Sequence, residues 1–500
     1  MKKILQLLDD FIVYGHDVLG LNSLDAFQSY NRICYELQIY PSGRRDFKPS
    51  RIKHNVDYFV SQFNKYLKSK KWDEITCRIK LAKIFDMISP KPSEVAKQFN
   101  GLLRYSPAKA TSYLYKLGIN NHYIHWRAIK QNLEWLATYS KGNIEVTINL
   151  SKPEKNVKDI AKLADNKQLN PNPSYPLCPL CLDNLGFAGD AKRAQRQTLR
   201  IVPFGLLKDF WFLQFSPYGY FDQHCIVITY KHRPMEINEK KFRYMFAFLK
   251  RVPIYTVTSN ADLPIVGGSV LNHEHLQCGK HVFPIQKAGD DFVIHTKKYK
   301  TVKASYVDFY NSAIRLVGKD PEEIIKAATE IYNLWCKFDA REIGIISHTG
   351  KTRYNTITPV IRMINAKEYE MILILRNSRT NVKYPDGIFH VHPQYYHIKK
   401  ENIGVIEAMG RFILPGRLKR QMQLATKAVA EGRTTKKTCL SKYPELAGFG
   451  RMVKKMAESN MTAQQYVNDV CKRILTNISV FKKDNAGYHY LRQFIKKLDI

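Results

Sequence analysis

Acidic residues are scarce in this chain: of 500 residues, 44 are Asp or Glu against 79 Lys or Arg, a formal net charge of +35. Such an excess raises nucleic acid as a partner. The basic residues are spread out, however, and Lys297-Lys298-Tyr299-Lys300, Arg417-Leu418-Lys419-Arg420 and Lys436-Lys437 are short runs of the kind that form solvated faces. No nucleic-acid motif accompanies them, so nucleic acid is not expected. Cysteine is also sparse. Nine residues, an odd number scattered through apolar segments, exclude a disulfide framework and suit reduced thiols. No apolar run is long enough to span a bilayer, and Asp9 and Asp10 interrupt the apolar start before a signal-peptide core is complete. No membrane association and a cytoplasmic location are therefore expected. A hydrophobic content of 44% with 12% aromatics excludes a disordered chain.

What is present divides by periodicity. Residues 1–149 carry helical spacing, with Ile4, Leu7, Leu8, Phe11 and Ile12 on one face, a helix start at Ser93-Glu94 and a Ser106-Pro107 cap. Residues 150–310 turn to short β-branched and aromatic runs at 200–204, 211–215, 225–230 and 253–258, interrupted by one helix near 238–250. Residues 311–434 begin with a helix at Asp320-Pro321-Glu322-Glu323. Strands at 356–363 and 370–375 and a long helix from Glu401 are expected to follow. Residues 435–500 read as a helical tail with Thr462 as a cap. The expected class is α+β.

Within the second region stands His273-x-His275-x-Gln277. On a strand, side chains two apart share a face, so both imidazoles and the amide would enter one site. Imidazole is largely neutral at cellular pH and attacks phosphorus without a separate base. The labile N–P bond splits one transfer into two steps. Gln277 and Asn260 can donate to phosphate oxygens, and Gly267, Gly268 and Ser269 permit close backbone approach. A structural metal clamp, or a chance pair on a half-buried strand, is the blander reading of the same three residues.

The surroundings bear on that choice. Tyr-Pro-Leu-Cys-Pro-Leu-Cys at 175–181, Gln-His-Cys-Ile-Val-Ile at 223–228, the block from Asn260 to Gln277, Asn-Thr-Ile-Thr-Pro at 355–359, Leu-Arg-Asn at 375–377 and Asp-Gly-Ile-Phe-His-Val-His at 386–392 occur in one order. In that order and spacing the chain resembles the class II galactose-1-phosphate uridylyltransferases of the histidine-triad superfamily. The resemblance implies two related histidine-triad-like antiparallel-sheet halves with flanking helices, preceded by a helical N-terminal region. It implies transfer of uridylyl from UDP-glucose to galactose 1-phosphate, with His275 as nucleophile, Gln277 as the phosphate-stabilising amide, and a homodimer. The positive charge then reads as attraction for anionic nucleotide sugars or as a trait of the source organism's proteins. A related nucleotide or sugar-nucleotide phosphorylase using the same histidine, and a catalytically silent nucleotide-binding relative, remain alternatives.

The same resemblance implies a structural zinc held by Cys178, Cys181, His232 and His273, with His224 competing with His232 for the third place. Cys178-x-x-Cys181 alone has half-site spacing, which also fits a redox pair or two packed thiols. Arg196, with Arg200 close behind, and Arg376 are candidates for phosphate contact. His390 and His392 match positions that bind a second metal in related enzymes, but Tyr354 stands where those relatives carry a histidine, which argues against a metal there. Cys278 follows Gln277 where glycine is expected, and its extra bulk is expected to bear on the phosphate pocket.

Overall fold

The computed structural model describes residues 2–43, 47, 53–151, 175–190, 192–498 and 500. They divide into two compact units, Met1–Gln131 with Pro153–His232, and Asn132–Lys152 with Arg233–Ile500.

The first unit opens with six helices of at least 13 residues: Lys2–Tyr14, Ser23–Leu37, Val56–Ser69, Glu74–Met87, Pro92–Tyr105 and Pro107–Asn120. The local code is visible at their ends. Glu94 reaches back to the Lys91 N–H at 2.8 Å, and Ser106 Oγ accepts from Lys109 N at 3.3 Å. Leu7, Leu8, Phe11 and Ile12 of the first helix are buried, and Phe11 packs edge-on against Phe63 and Phe85. An antiparallel set of three strands follows, Val202–Pro203, Trp211–Phe215 and Cys225–Thr229.

In the second unit seven strands form a sheet: β1 (Thr256–Thr258), β2 (His275–Gly279), β3 (Asp290–Ile294), β4 (Lys303–Val307), β5 (Ala313–Gly318), β6 (Asn355–Asn365) and β7 (Glu368–Asn377). Their order is β2-β1-β6-β7-β5-β4-β3, and every pairing is antiparallel. Helices Glu239–Arg251 and Pro321–Trp335 pack against it. The second begins where Asp320 caps Glu322 N at 2.9 Å ahead of Pro321. The tail is helical, and Thr462 and Gln465 form a reciprocal capping box on Ala463–Ile478. The fold is thus α+β, with a helical start and antiparallel sheets.

One expected element is absent. The long helix from Glu401 is replaced by a single turn at Val405–Ala408, a strand at Arg411–Pro415 and a helix only from Leu418 to Ala430. Gly410 at φ +93 turns the chain out of the helix, and the strand then pairs in parallel with Ile144–Asn149. That partner is far away in sequence, so local periodicity carried no sign of it.

Candidate active site

Register fixes which side chains meet. Thr258 lies opposite Gln277 and Val360, and Val360 lies opposite Ile372. Because strand side chains alternate, His275, Gln277, Thr258, Thr358 and Arg376 share one face of the sheet. Cys278 is buried on the other face, opposite Val257. It therefore does not crowd the face carrying His275, contrary to the expectation drawn from its bulk.

His275 is 4% exposed, and burial pushes its pKa down to about 4, leaving a neutral ring. Its Nδ1 lies 2.8 Å from the backbone oxygen of His273, a bond that requires the proton on Nδ1. The lone pair is therefore on Nε2. Asn260 Nδ2 approaches Nε2 at 3.4 Å, and Asn260 Oδ1 accepts from Val405 N at 3.2 Å, which fixes the amide with its nitrogen toward the ring. Gly268 is needed beside it, since a Cβ there would lie 2.7 Å from Asn260 Nδ2. Ser269 is exposed on the same loop. Asp262 holds the start of that loop, accepting from Ile237 N, Thr356 Oγ1 and Arg353 Nη2.

Glu274 precedes the strand and is tied to residues outside it. Its carboxylate meets Arg233 Nε and the fully buried Lys241 Nζ, each at 2.5 Å, and its N–H donates to Arg233 O at 2.7 Å. This clamp holds the residue just before the strand that carries His275, while His273 lies in a bend outside that strand.

In the first unit Cys178 Sγ and Cys181 Sγ lie 3.4 Å apart, and His232 Nδ1 is 3.2 Å from Cys181 Sγ. Asn184 stakes the turn by donating to the Cys178 and Cys181 carbonyls at 2.8 and 2.9 Å. A tetrahedral ion with sulfur at about 2.3 Å and nitrogen at about 2.0 Å places its donors roughly 3.5 Å apart, so this cluster can hold a metal ion. Burial, then the neighbouring Cys178, pushes the Cys181 thiol up. His224 instead packs its ring against Tyr220 and Phe221, with centroids 5.4 and 4.5 Å away. The fourth expected ligand, His273, is carried by the other unit, where it is 1% exposed.

A family model described as "Galactose-1-phosphate uridyl transferase, N-terminal domain" matches residues 46–234. The galactose-1-phosphate uridylyltransferase of Bacillus subtilis is 40% identical over 508 residues, covering 99% of this chain and 98% of that protein. The chain belongs to the galactose-1-phosphate uridylyltransferase family. The Clostridium acetobutylicum enzyme of the same name is 40% identical over 83% of this chain and 84% of its own length. Among solved structures, yeast Ap4A phosphorylase Apa2 matches at 11% identity over 58% of this chain and 84% of that one. Its TM-score of 0.31 is too low to add to the fold description.

The remaining candidates in this uridylyltransferase-family chain separate by what their donors already do. Arg200 is structural: its guanidinium is used on Asp86 and on the carbonyls of Pro90, Gln197 and Leu199, at 2.7 to 3.0 Å. Arg196 is half-buried and donates to Tyr123 OH at 3.3 Å. Arg376 is 1% exposed and donates from Nη2 to Ile403 O at 3.0 Å. His390 and His392 lie outside any strand and point to different partners. Ile403 N donates to His390 Nε2 at 3.3 Å, while the His392 ring stacks on Tyr384 with Nε2 3.1 Å from Ile388 O. Thr358, inside the Asn-Thr-Ile-Thr-Pro motif, was given no role by the sequence, although strand parity puts it on the His275 face.

No helix among the described residues is long and apolar enough to cross a membrane.

Proposed function

We propose that the chain transfers a uridylyl group from UDP-glucose to galactose 1-phosphate through a covalent intermediate on His275. The observation that carries this reading is the 2.8 Å contact of His275 Nδ1 with the His273 carbonyl, which leaves Nε2 as the nucleophilic nitrogen. Nε2 attacks the α-phosphorus, the P–O bond to glucose 1-phosphate breaks, and the electron pair leaves with that phosphate. An oxygen of galactose 1-phosphate then attacks the same phosphorus, the P–N bond breaks and Nε2 regains its pair. Nδ1 keeps its proton throughout, and the carbonyl dipole supports the positive charge on the uridylylated ring. Because the group that leaves when Nε2 attacks is a sugar phosphate in either direction of the reaction, and the group that leaves in the second step is the imidazole itself, no strong general acid is required.

Gln277 and Asn260 serve as amide donors to the transferred phosphoryl oxygens, with Gly268 and Ser269 lining the approach. Arg376 and Arg196 supply phosphate contacts. Zinc is the ion that Cys178, Cys181 and His232 would hold, with His273 as the fourth ligand that the family resemblance implies; two thiols and two imidazoles suit that metal. When bound it would fix the His273 ring and, through the intervening peptide, the orientation of His275. The reading places the enzyme in the cytoplasm, as a homodimer.

A ping-pong enzyme exchanges label between glucose 1-phosphate and UDP-glucose with no galactose 1-phosphate present. Exchange at a rate comparable to turnover is expected. Its absence, with net transfer intact, would overturn the covalent route.

A further inference from the structure

Three buried polar groups near the His275 face have no hydrogen-bond partner among the described residues at the atoms in question. They are Thr358 at Oγ1, Arg376 at Nε and Nη1, and His390 at Nδ1. They are not scattered. Thr358 and Arg376 lie on the sheet face that carries His275 and Gln277. Arg376 and His390 grip the same residue, the first through Ile403 O at 3.0 Å and the second through Ile403 N at 3.3 Å. Two residues further, Val405 N orients the Asn260 amide that faces His275 Nε2. Since His390 Nε2 accepts a backbone N–H, its ring proton lies on Nδ1, which is therefore a donor.

Charge sharpens the picture. Lys399 is buried as well, but its ammonium is matched by Glu407 Oε1 at 3.0 Å and by Ile413 O at 3.1 Å. Arg376 has no ion pair among the described residues, and a guanidinium cannot shed its proton to escape burial. The charge of Glu407 also reaches Arg376, but that carboxylate is already bound to Lys399, so one negative charge is shared between two buried cations. The remaining positive charge, with the neutral donors Thr358 and His390 near it, matches an anion with several acceptor oxygens. A base or a ribose would not neutralise it. The guanidinium also sits at residue 403, two residues from the N–H that orients Asn260. Gln277 and Asn260 are the amides assigned to the attacked phosphate, which leaves this charge for the second phosphate of the substrate.

We propose that Thr358, Arg376 and His390 form the subsite for the phosphate of the sugar 1-phosphate, the group that departs in one half-reaction and attacks in the other. This rests on the uridylyl-transfer reading and adds to it a binding role for His390 in place of metal ligation.

Equilibrium dialysis of the full-length protein with galactose 1-phosphate, glucose 1-phosphate and UMP tests it, because UMP lacks the second phosphate. Arg376→Met should weaken both sugar phosphates at least tenfold and leave UMP within twofold, with Arg376→Lys recovering part of the loss. Thr358→Val removes a hydroxyl with no protein partner and should fold normally. It should weaken galactose 1-phosphate by about threefold to tenfold, and it carries the test if Arg376→Met does not fold. Unchanged sugar-phosphate affinity in a folded variant, or an equal loss for UMP, would overturn the subsite. If wild type itself neither binds galactose 1-phosphate nor exchanges label, the transfer reading fails instead.

Discussion

His275 Nδ1 is held 2.8 Å from the carbonyl oxygen of His273, two residues earlier on the same chain. The contact sets the tautomer of the ring and turns Nε2 toward Asn260. The proposed nucleophile and the group that orients it are thus supplied by one short segment, and the consequences fall on the residues that hold it.

Asn260 depends on a glycine. Because a Cβ at Gly268 would lie 2.7 Å from its Nδ2 and 2.9 Å from its Cγ, Gly268→Ala must displace the amide. The expected result is a fall in kcat of roughly tenfold to a thousandfold with little change in Tm. A kinetic comparison alongside a melting curve checks it, and an unchanged kcat would remove Asn260 from the reaction.

The metal cluster predicts a selective loss. Cys178→Ser and Cys181→Ser should purify with much less bound zinc than wild type, whereas His224→Asn should retain it, because His224 is stacked on Tyr220 and Phe221 while His232 Nδ1 faces the Cys181 thiol. Elemental analysis of the three variants distinguishes them. Equal zinc in all would exclude the two thiols as ligands.

Glu274 neutralises a fully buried ammonium. Glu274→Gln leaves Lys241 without its anion and should cost about 3 kcal/mol in urea unfolding. Adding Lys241→Met should restore part of that loss. A double variant as unstable as the sum of the two single variants would show that the pair is not coupled.

Acid sensitivity should arise around Glu145. Burial acts to raise its carboxyl, but the hydrogen bonds and charges of His281 at 2.7 Å and Arg411 at 3.0 Å outweigh it and bring the pKa to about 2 from 4.5. A carboxylate depressed in the folded state contributes its stability above the unfolded value and loses it as pH falls through the folded one. Stability should therefore decline as pH drops from about 4.5 toward about 2, and Glu145→Gln should flatten that decline while costing roughly 2 kcal/mol at neutral pH. Unfolding curves taken across that range provide the check.

The α+β class and the helical start were legible in the sequence, and so were the motifs of the candidate site. His-x-His-x-Gln and Cys-x-x-Cys announce themselves because their chemistry depends on local spacing, and the helix caps at Ser106, Asp320 and Thr462 are local in the same way. What escaped depends on partners distant in sequence. Arg411–Pro415 read as helix because the strand it joins lies at 144–149. Arg200 resembled a phosphate ligand until its carbonyl partners were visible. Thr358 is an ordinary strand threonine until the register aligns it with His275.

The most direct measurement is intact mass followed by peptide mapping after mixing the enzyme with UDP-glucose alone. One added uridylyl group per chain, on the peptide containing His275 and missing from His275→Gly, is the expected result. A wild-type enzyme that completes transfer while never carrying that mass, or that carries it on another residue, would contradict the assignment of Nε2 as the attacking atom.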